Sequence, residues 1–83
     1  PAGSVKTEVD FILLRNREFV AVEVKSGRVF SKRWCRGLRA IADLKGLQRR
    51  VIVYPHGPLL RTEDGIDVMS FDYFAGLLAE NRL

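Results

Sequence analysis

Eighty-three residues suffice for one domain, and 47% hydrophobic content with seven glycines and three prolines describes an ordinary globular chain, not a disordered one. A chain this short buries only about 60% of the surface it exposes when unfolded, so modest stability is expected. One cysteine excludes an intrachain disulfide and a thiolate zinc site, no apolar run reaches the ~20 residues of a membrane span, and the +4 charge favours polyanionic partners.

The first six residues, opening "PAGS", read as a flexible leader or cloning remnant, and residues 7–83 as the domain. No signal peptide is visible, and a soluble, cytoplasmic protein is expected. From Glu8 to Leu14, Val9, Phe11 and Leu13 alternate with Asp10, Ile12 and Leu14, the pattern of a strand apolar on both faces and covered on both sides. Arg15 to Glu18 supplies a turn, and Phe19 to Lys25 returns as the second arm of an antiparallel hairpin. Val20, Val22 and Val24 take one face; Phe19, Ala21, Glu23 and Lys25 take the other.

Ser31 is a candidate N-cap for a helix from Lys32 to about Leu44, with Trp34, Leu38 and Ile41 inward and Gly46 as its stop. Its outward side carries Lys32, Arg36 and Arg39, which together with Arg33 suit a nucleic-acid backbone. Cys35 reads as a half-buried thiol on that helix, and His56, in "YPHGP", as a surface loop residue. Arg49 to Pro55 is a β-branched inner strand, so strand, helix and strand form a crossover onto a partly parallel sheet. His56 to Gly65 reads as loop and Ile66 to Met69 as a short edge strand. Ser70 caps a last helix with Phe71, Phe74, Leu77 and Leu78 inward. The fold class is α/β.

The charges inside the hairpin need an explanation, because an unpaired buried charge costs several kcal/mol, of the order of an effective ion desolvation penalty. Strand alternation puts Glu23 and Lys25 on one face, and the hairpin register sets Asp10 near Glu23. One lysine cannot satisfy two carboxylates, whereas a divalent cation with oxygen ligands can.

"EVDF", followed by "EVK" at Glu23 to Lys25, resembles the PD-(D/E)xK nuclease superfamily, the restriction-endonuclease-like fold, whose signature is an acid, a variable gap, then acid, any residue and Lys. The wider string "TEVDFIL", "FVAVEVKSG", "GLRAI" and "VIVY" is similar to the C-terminal domain of a group of prokaryotic AAA+ type ATPases of uncharacterised function. The resemblance implies a restriction-endonuclease-like core of β-hairpin, helix, strand and C-terminal helix on a mixed sheet, lacking the family's first helix and strand. It implies Asp10 and Glu23 as ligands of Mg²⁺ or Mn²⁺, the Val24 backbone carbonyl as a further ligand, Lys25 as catalytic lysine and Glu8 as a supporting acid. Val9 stands where the name-giving proline would be.

The expected function is therefore a metal-dependent nuclease domain acting on DNA, appended to an ATPase that lies upstream in the same chain. The alternative is a catalytically silent accessory domain that docks DNA or a partner. No Gly-rich phosphate loop ending Gly-Lys-Ser/Thr occurs, so no nucleotide site is expected within these residues. A homo-oligomer completing the sheet at an unpaired edge is a further expectation.

Overall fold

Residues 9–83 are described by a computed structural model, and within them the apolar, β-branched stretches are strands and the stretches of helical spacing are short helices. In chain order these are β1 (Phe11–Arg15), β2 (Glu18–Val24), a 3-10 turn (Lys32–Cys35) leading into α1 (Arg36–Ala40), β3 (Leu47–Tyr54), β4 (Leu60–Arg61), β5 (Ile66–Ser70) and α2 (Phe71–Ala79). The strands form one mixed sheet in the order β1-β2-β3-β5-β4. The β2-β3 and β3-β5 pairs are parallel; the outer pairs, β1-β2 and β4-β5, are antiparallel.

The hairpin closes through Asn16 and Arg17, with Asn16 at φ 57°, a left-handed conformation that asparagine tolerates well. Period-two alternation then divides the core between the two faces of the sheet. Val20, Val22, Val51, Val53 and Met69 pack against Phe74 and Leu77 of α2 and against Leu83. Ala21, Ile52, Tyr54, Ile66 and Val68 pack on the opposite face against Cys35 and Leu38, with Trp34 and Ile41 at the margin.

The crossover between β2 and β3 differs from the single long helix expected over Lys32 to Leu44. Ser31 does cap it, accepting from the Arg33 N–H at 3.4 Å, but the first turn is 3-10 and the α-helical part ends at Ala40. Beyond it the chain descends through three-residue turns, Ala42 N–H to Arg39 O, Leu44 N–H to Ile41 O and Leu47 N–H to Leu44 O. These tighter turns bring the chain directly to the start of β3. Gly46 consequently sits in the turn before β3 and not at a helix end. Its φ is +90°, an added Cβ would lie 2.7 Å from the Arg17 carbonyl, and its own carbonyl accepts from the Phe19 N–H at 2.8 Å.

Four further expectations are corrected. Ile66–Ser70 is an inner strand, not an edge, because residues expected as loop supply β4 on its outer side. The first strand begins at Phe11 and is itself an edge that is not covered on both sides, with Leu14 76% exposed. Among the described residues, the helical cover on the Leu14 side of the sheet is the 3-10 turn and the five residues of α1. In α2, capped by Ser70 accepting from the Tyr73 N–H at 3.1 Å, Phe74 and Leu77 are buried while Phe71 and Leu78 stay exposed. Nine residues give a single narrow apolar stripe. Cys35 is wholly buried, not half-buried.

After α2, Asn81 takes a left-handed φ of 56° and the Arg82 N–H reaches back to the Leu77 carbonyl at 2.9 Å, an arrangement that ends helices. This turn returns Leu83 to the core.

Candidate metal and nucleic-acid site

Glu23 is the penultimate residue of β2 and alternation turns its side chain to the α1 face, where only 4% of the residue is exposed. The parallel neighbour β3 holds this end of the strand: the Lys25 N–H donates to the Val53 carbonyl at 2.8 Å, carrying the extended backbone one residue past β2. Lys25 therefore falls on the same face as Glu23, and its Nζ meets Glu23 Oε2 at 2.8 Å. A buried carboxylate is stable here because its counter-ion lies two residues along the same strand. The pair stands at the carboxyl end of the parallel strands, the end at which open α/β sheets bind ligands.

Continuing the β1-β2 register would put Asp10 across from Glu23, but the ladder stops at Phe11 and Val22. The chain bends at Asp10, whose N–H donates to the Val22 carbonyl at 3.0 Å while its Oδ2 accepts from the Val24 N–H at 2.5 Å. Asp10 thus bridges the backbone on either side of Glu23. Its carboxylate binds main chain in this arrangement, and among the described residues the ammonium of Lys25 pairs with Glu23.

All the candidate donors are oxygens, the ligand type Mg²⁺ and Mn²⁺ take. Among the described residues Asp10 and Glu23 each have one carboxylate oxygen engaged, Oδ2 and Oε2, and Val24 is exposed beside them. Among the described residues no three His, Cys, Asp or Glu side chains surround a common point. A cation here would complete its shell with water and phosphate, as Mg²⁺ commonly does. Glu8 lies outside the described residues.

The basic residues divide. Lys32, Arg33 and Arg36 are exposed on the 3-10 turn and the start of α1, and no ion pair holds them among the described residues. Arg39 is tied down: its Nε donates to Asp64 Oδ2 at 3.0 Å. Asp64 is further held by the Thr62 hydroxyl at 2.6 Å, and the Thr62 and Arg39 hydrogen bonds together lower its pKa to about 2.

Sequence reasoning passed over a second buried acid. Asp67, with a side chain 5% exposed, sits in β5 between Arg49 of β3 and Arg61 of β4, which donate to it at 2.7 Å each through Nε. Burial pushes its carboxyl upward, but the hydrogen bonds from Arg61 and Arg49 outweigh burial and hold it below the ordinary range. The signal was present in "IDVM", an acid inside an apolar run of the same kind as "AVEV". Cys35 carries no comparable polar network; burial raises its thiol pKa, the opposite of what a nucleophile needs.

A family model described as "Domain of unknown function (DUF4143)" matches residues 3–74, most of the chain. The chain belongs to the DUF4143 family. No curated protein and no solved structure is significantly similar to it. The match spans the whole hairpin, the crossover, β3 to β5 and the first residues of α2, so Asp10, Glu23, Lys25, Asp64 and Asp67 all belong to the DUF4143 domain.

Proposed function

We propose that this DUF4143 domain is a metal-dependent nuclease of the PD-(D/E)xK type, hydrolysing DNA phosphodiester bonds and appended to an ATPase in a longer chain. The observation that carries the reading is the placement of Glu23 and Lys25 on one face at the carboxyl end of β2, with Asp10 bonded to the backbone on both sides of Glu23. These residues stand in the order and spacing of the superfamily's signature. The mixed sheet with its parallel centre and C-terminal helix is consistent with a restriction-endonuclease-like core.

A Mg²⁺ or Mn²⁺ held by Asp10, Glu23 and the Val24 carbonyl would polarise the scissile phosphate. Lys25 then acts as a point charge that exchanges its partner: the ammonium leaves Glu23 for the phosphate and orients the attacking water. Glu23, freed from Lys25, keeps its carboxylate at the strand end. Lys32, Arg33 and Arg36 bind the flanking backbone, which makes affinity fall as salt rises. Arg39 contributes less than these three because Asp64 already neutralises it.

A second reading, a silent accessory domain that docks DNA or a partner of the ATPase, is favoured by the internal bonds both acids make, Glu23 to Lys25 and Asp10 to the Val24 N–H. Incubating plasmid and single-stranded DNA with the domain and either metal separates the two. Cleavage by the wild type that is lost in Lys25→Ala and Asp10→Asn supports the nuclease; DNA binding without cleavage at millimolar Mg²⁺ and Mn²⁺ supports the accessory domain.

A further inference from the structure

At the opposite end of the sheet from Glu23 and Lys25, Gln48, Arg49, Arg50, Arg61 and Gly65 line an open groove of about 210 Å³. Its three arginines are tied to two carboxylates: Arg49 and Arg61 share Asp67, and Arg50 shares Asp64 with Arg39, which lies outside the groove lining. Each set, two arginines on one carboxylate, leaves one positive charge over. The carboxylates act as struts that hold the arginines in place. Arg49 uses only its Nε on Asp67 and Arg61 uses Nε and Nη2, so Nη1 of both and Nη2 of Arg49 have no acceptor among the described residues. Arg50 is anchored through Nη1 to the Leu38 carbonyl and through Nη2 to the Asp64 carbonyl.

A separate feature of the backbone falls at the same place. The parallel pairing of β2 with β3 slips by one residue, with Phe19 opposite Leu47 and Val20 opposite Arg49, leaving Gln48 as the extra residue of a bulge. Bulges re-aim side chains and concentrate near functional sites. This one puts a side-chain amide on the rim of the groove, with no hydrogen-bond partner among the described residues.

We propose that this groove binds a phosphate group, with Arg49, Arg61 and Gln48 donating to its oxygens and the surplus positive charge balancing the anion. Arg49 and Arg61, already fixed by the buried carboxylate of Asp67, lose little freedom on binding, and their forked donors match tetrahedral oxyanions. The site stands apart from the proposed nuclease centre: Arg49 to Val53 is four residues of β3, roughly 13 Å at the rise of a strand. It involves neither Lys25 nor a metal.

The test is titration of the domain with inorganic phosphate at constant ionic strength, followed by the backbone and arginine side-chain NMR signals of residues 47–50, 61 and 65. Saturable shifts confined to these residues are expected. Gln48→Glu, at an exposed position outside the ion-pair network, weakens binding about tenfold, and Gln48→Lys strengthens it or leaves it intact. Parallel titrations with an oligonucleotide bearing a 5′-phosphate and the same oligonucleotide without it distinguish the source. Response to the first alone assigns a terminal phosphate, and equal response to both assigns backbone diesters. Absence of saturable shifts with phosphate, or affinity unchanged in both Gln48 variants, overturns the proposal.

Discussion

Lys25 Nζ and Glu23 Oε2 meet at 2.8 Å across two residues of one extended strand, the carboxylate buried and the ammonium still about a third open to solvent. The pair therefore has a structural job whether or not it has a catalytic one, and the two can be separated by measurement. Lys25→Ala leaves Glu23 buried without a counter-ion, and a loss of about 1–3 kcal/mol in urea denaturation is expected, less than for a fully buried pair because the Lys25 side chain is itself 30% exposed. Adding Glu23→Gln to that variant recovers part of the loss. A double-mutant cycle showing no coupling would contradict the pairing.

Asp67 tests the other buried charge. Asp67→Ala strands Arg49, whose guanidinium is mostly covered, and is expected to cost about 3 kcal/mol or more. Arg61→Ala removes a partner that is 67% exposed and is expected to cost less than about 1 kcal/mol. Equal effects of the two substitutions in chemical denaturation would show that the strut is not built around Arg49.

Acid stability depends on Asp64 and Asp67. Both have folded-state pKa values below the ordinary carboxylate value, Asp64 at about 2 against 3.8. A group depressed on folding contributes stability above its unfolded pKa and loses it as pH falls through the folded one. Asp64 therefore contributes fully above about pH 4 and loses its share between about 4 and 2. Asp64→Asn should flatten the stability profile in that window and leave its shape near neutrality alone, measured by urea midpoints at each pH. An unchanged acid limb would mean that Asp64 is not held by Thr62 and Arg39 in solution.

Much of this architecture is legible in the residues because period-two alternation and the caps act locally. Val20 and Val22 against Ala21 and Glu23, Ser31 and Ser70 as caps, and the parallel inner strand at Val51 to Tyr54 follow from neighbours in sequence. What sequence does not convey is competition between distant partners. Asp10 is in place to face Glu23 until the Val24 N–H takes its carboxylate. Arg39 looks like a free phosphate contact until a loop 25 residues away brings Asp64 to it. The helix from Lys32 is shortened because its last turns must deliver Leu47 to the sheet, a demand that propensity does not contain.

Two glycines give predictions of opposite sign. Gly46 combines a φ of +90° with a backbone oxygen 2.7 Å from where a Cβ would stand, so Gly46→Ala adds conformational strain to a clash with the Arg17 carbonyl. That carbonyl belongs to the hairpin turn and cannot move without disturbing the Phe19 N–H to Gly46 O bond, and a cost of about 1–3 kcal/mol is expected. Gly76 lies inside α2 and a Cβ there meets nothing within 4 Å. Gly76→Ala should stabilise by about 0.5–1 kcal/mol through helix propensity alone, raising the thermal midpoint by several degrees for a domain of this size. Destabilisation by Gly76→Ala would show that the exposed side of α2 is covered in solution, since open space at the added methyl is the premise of the gain.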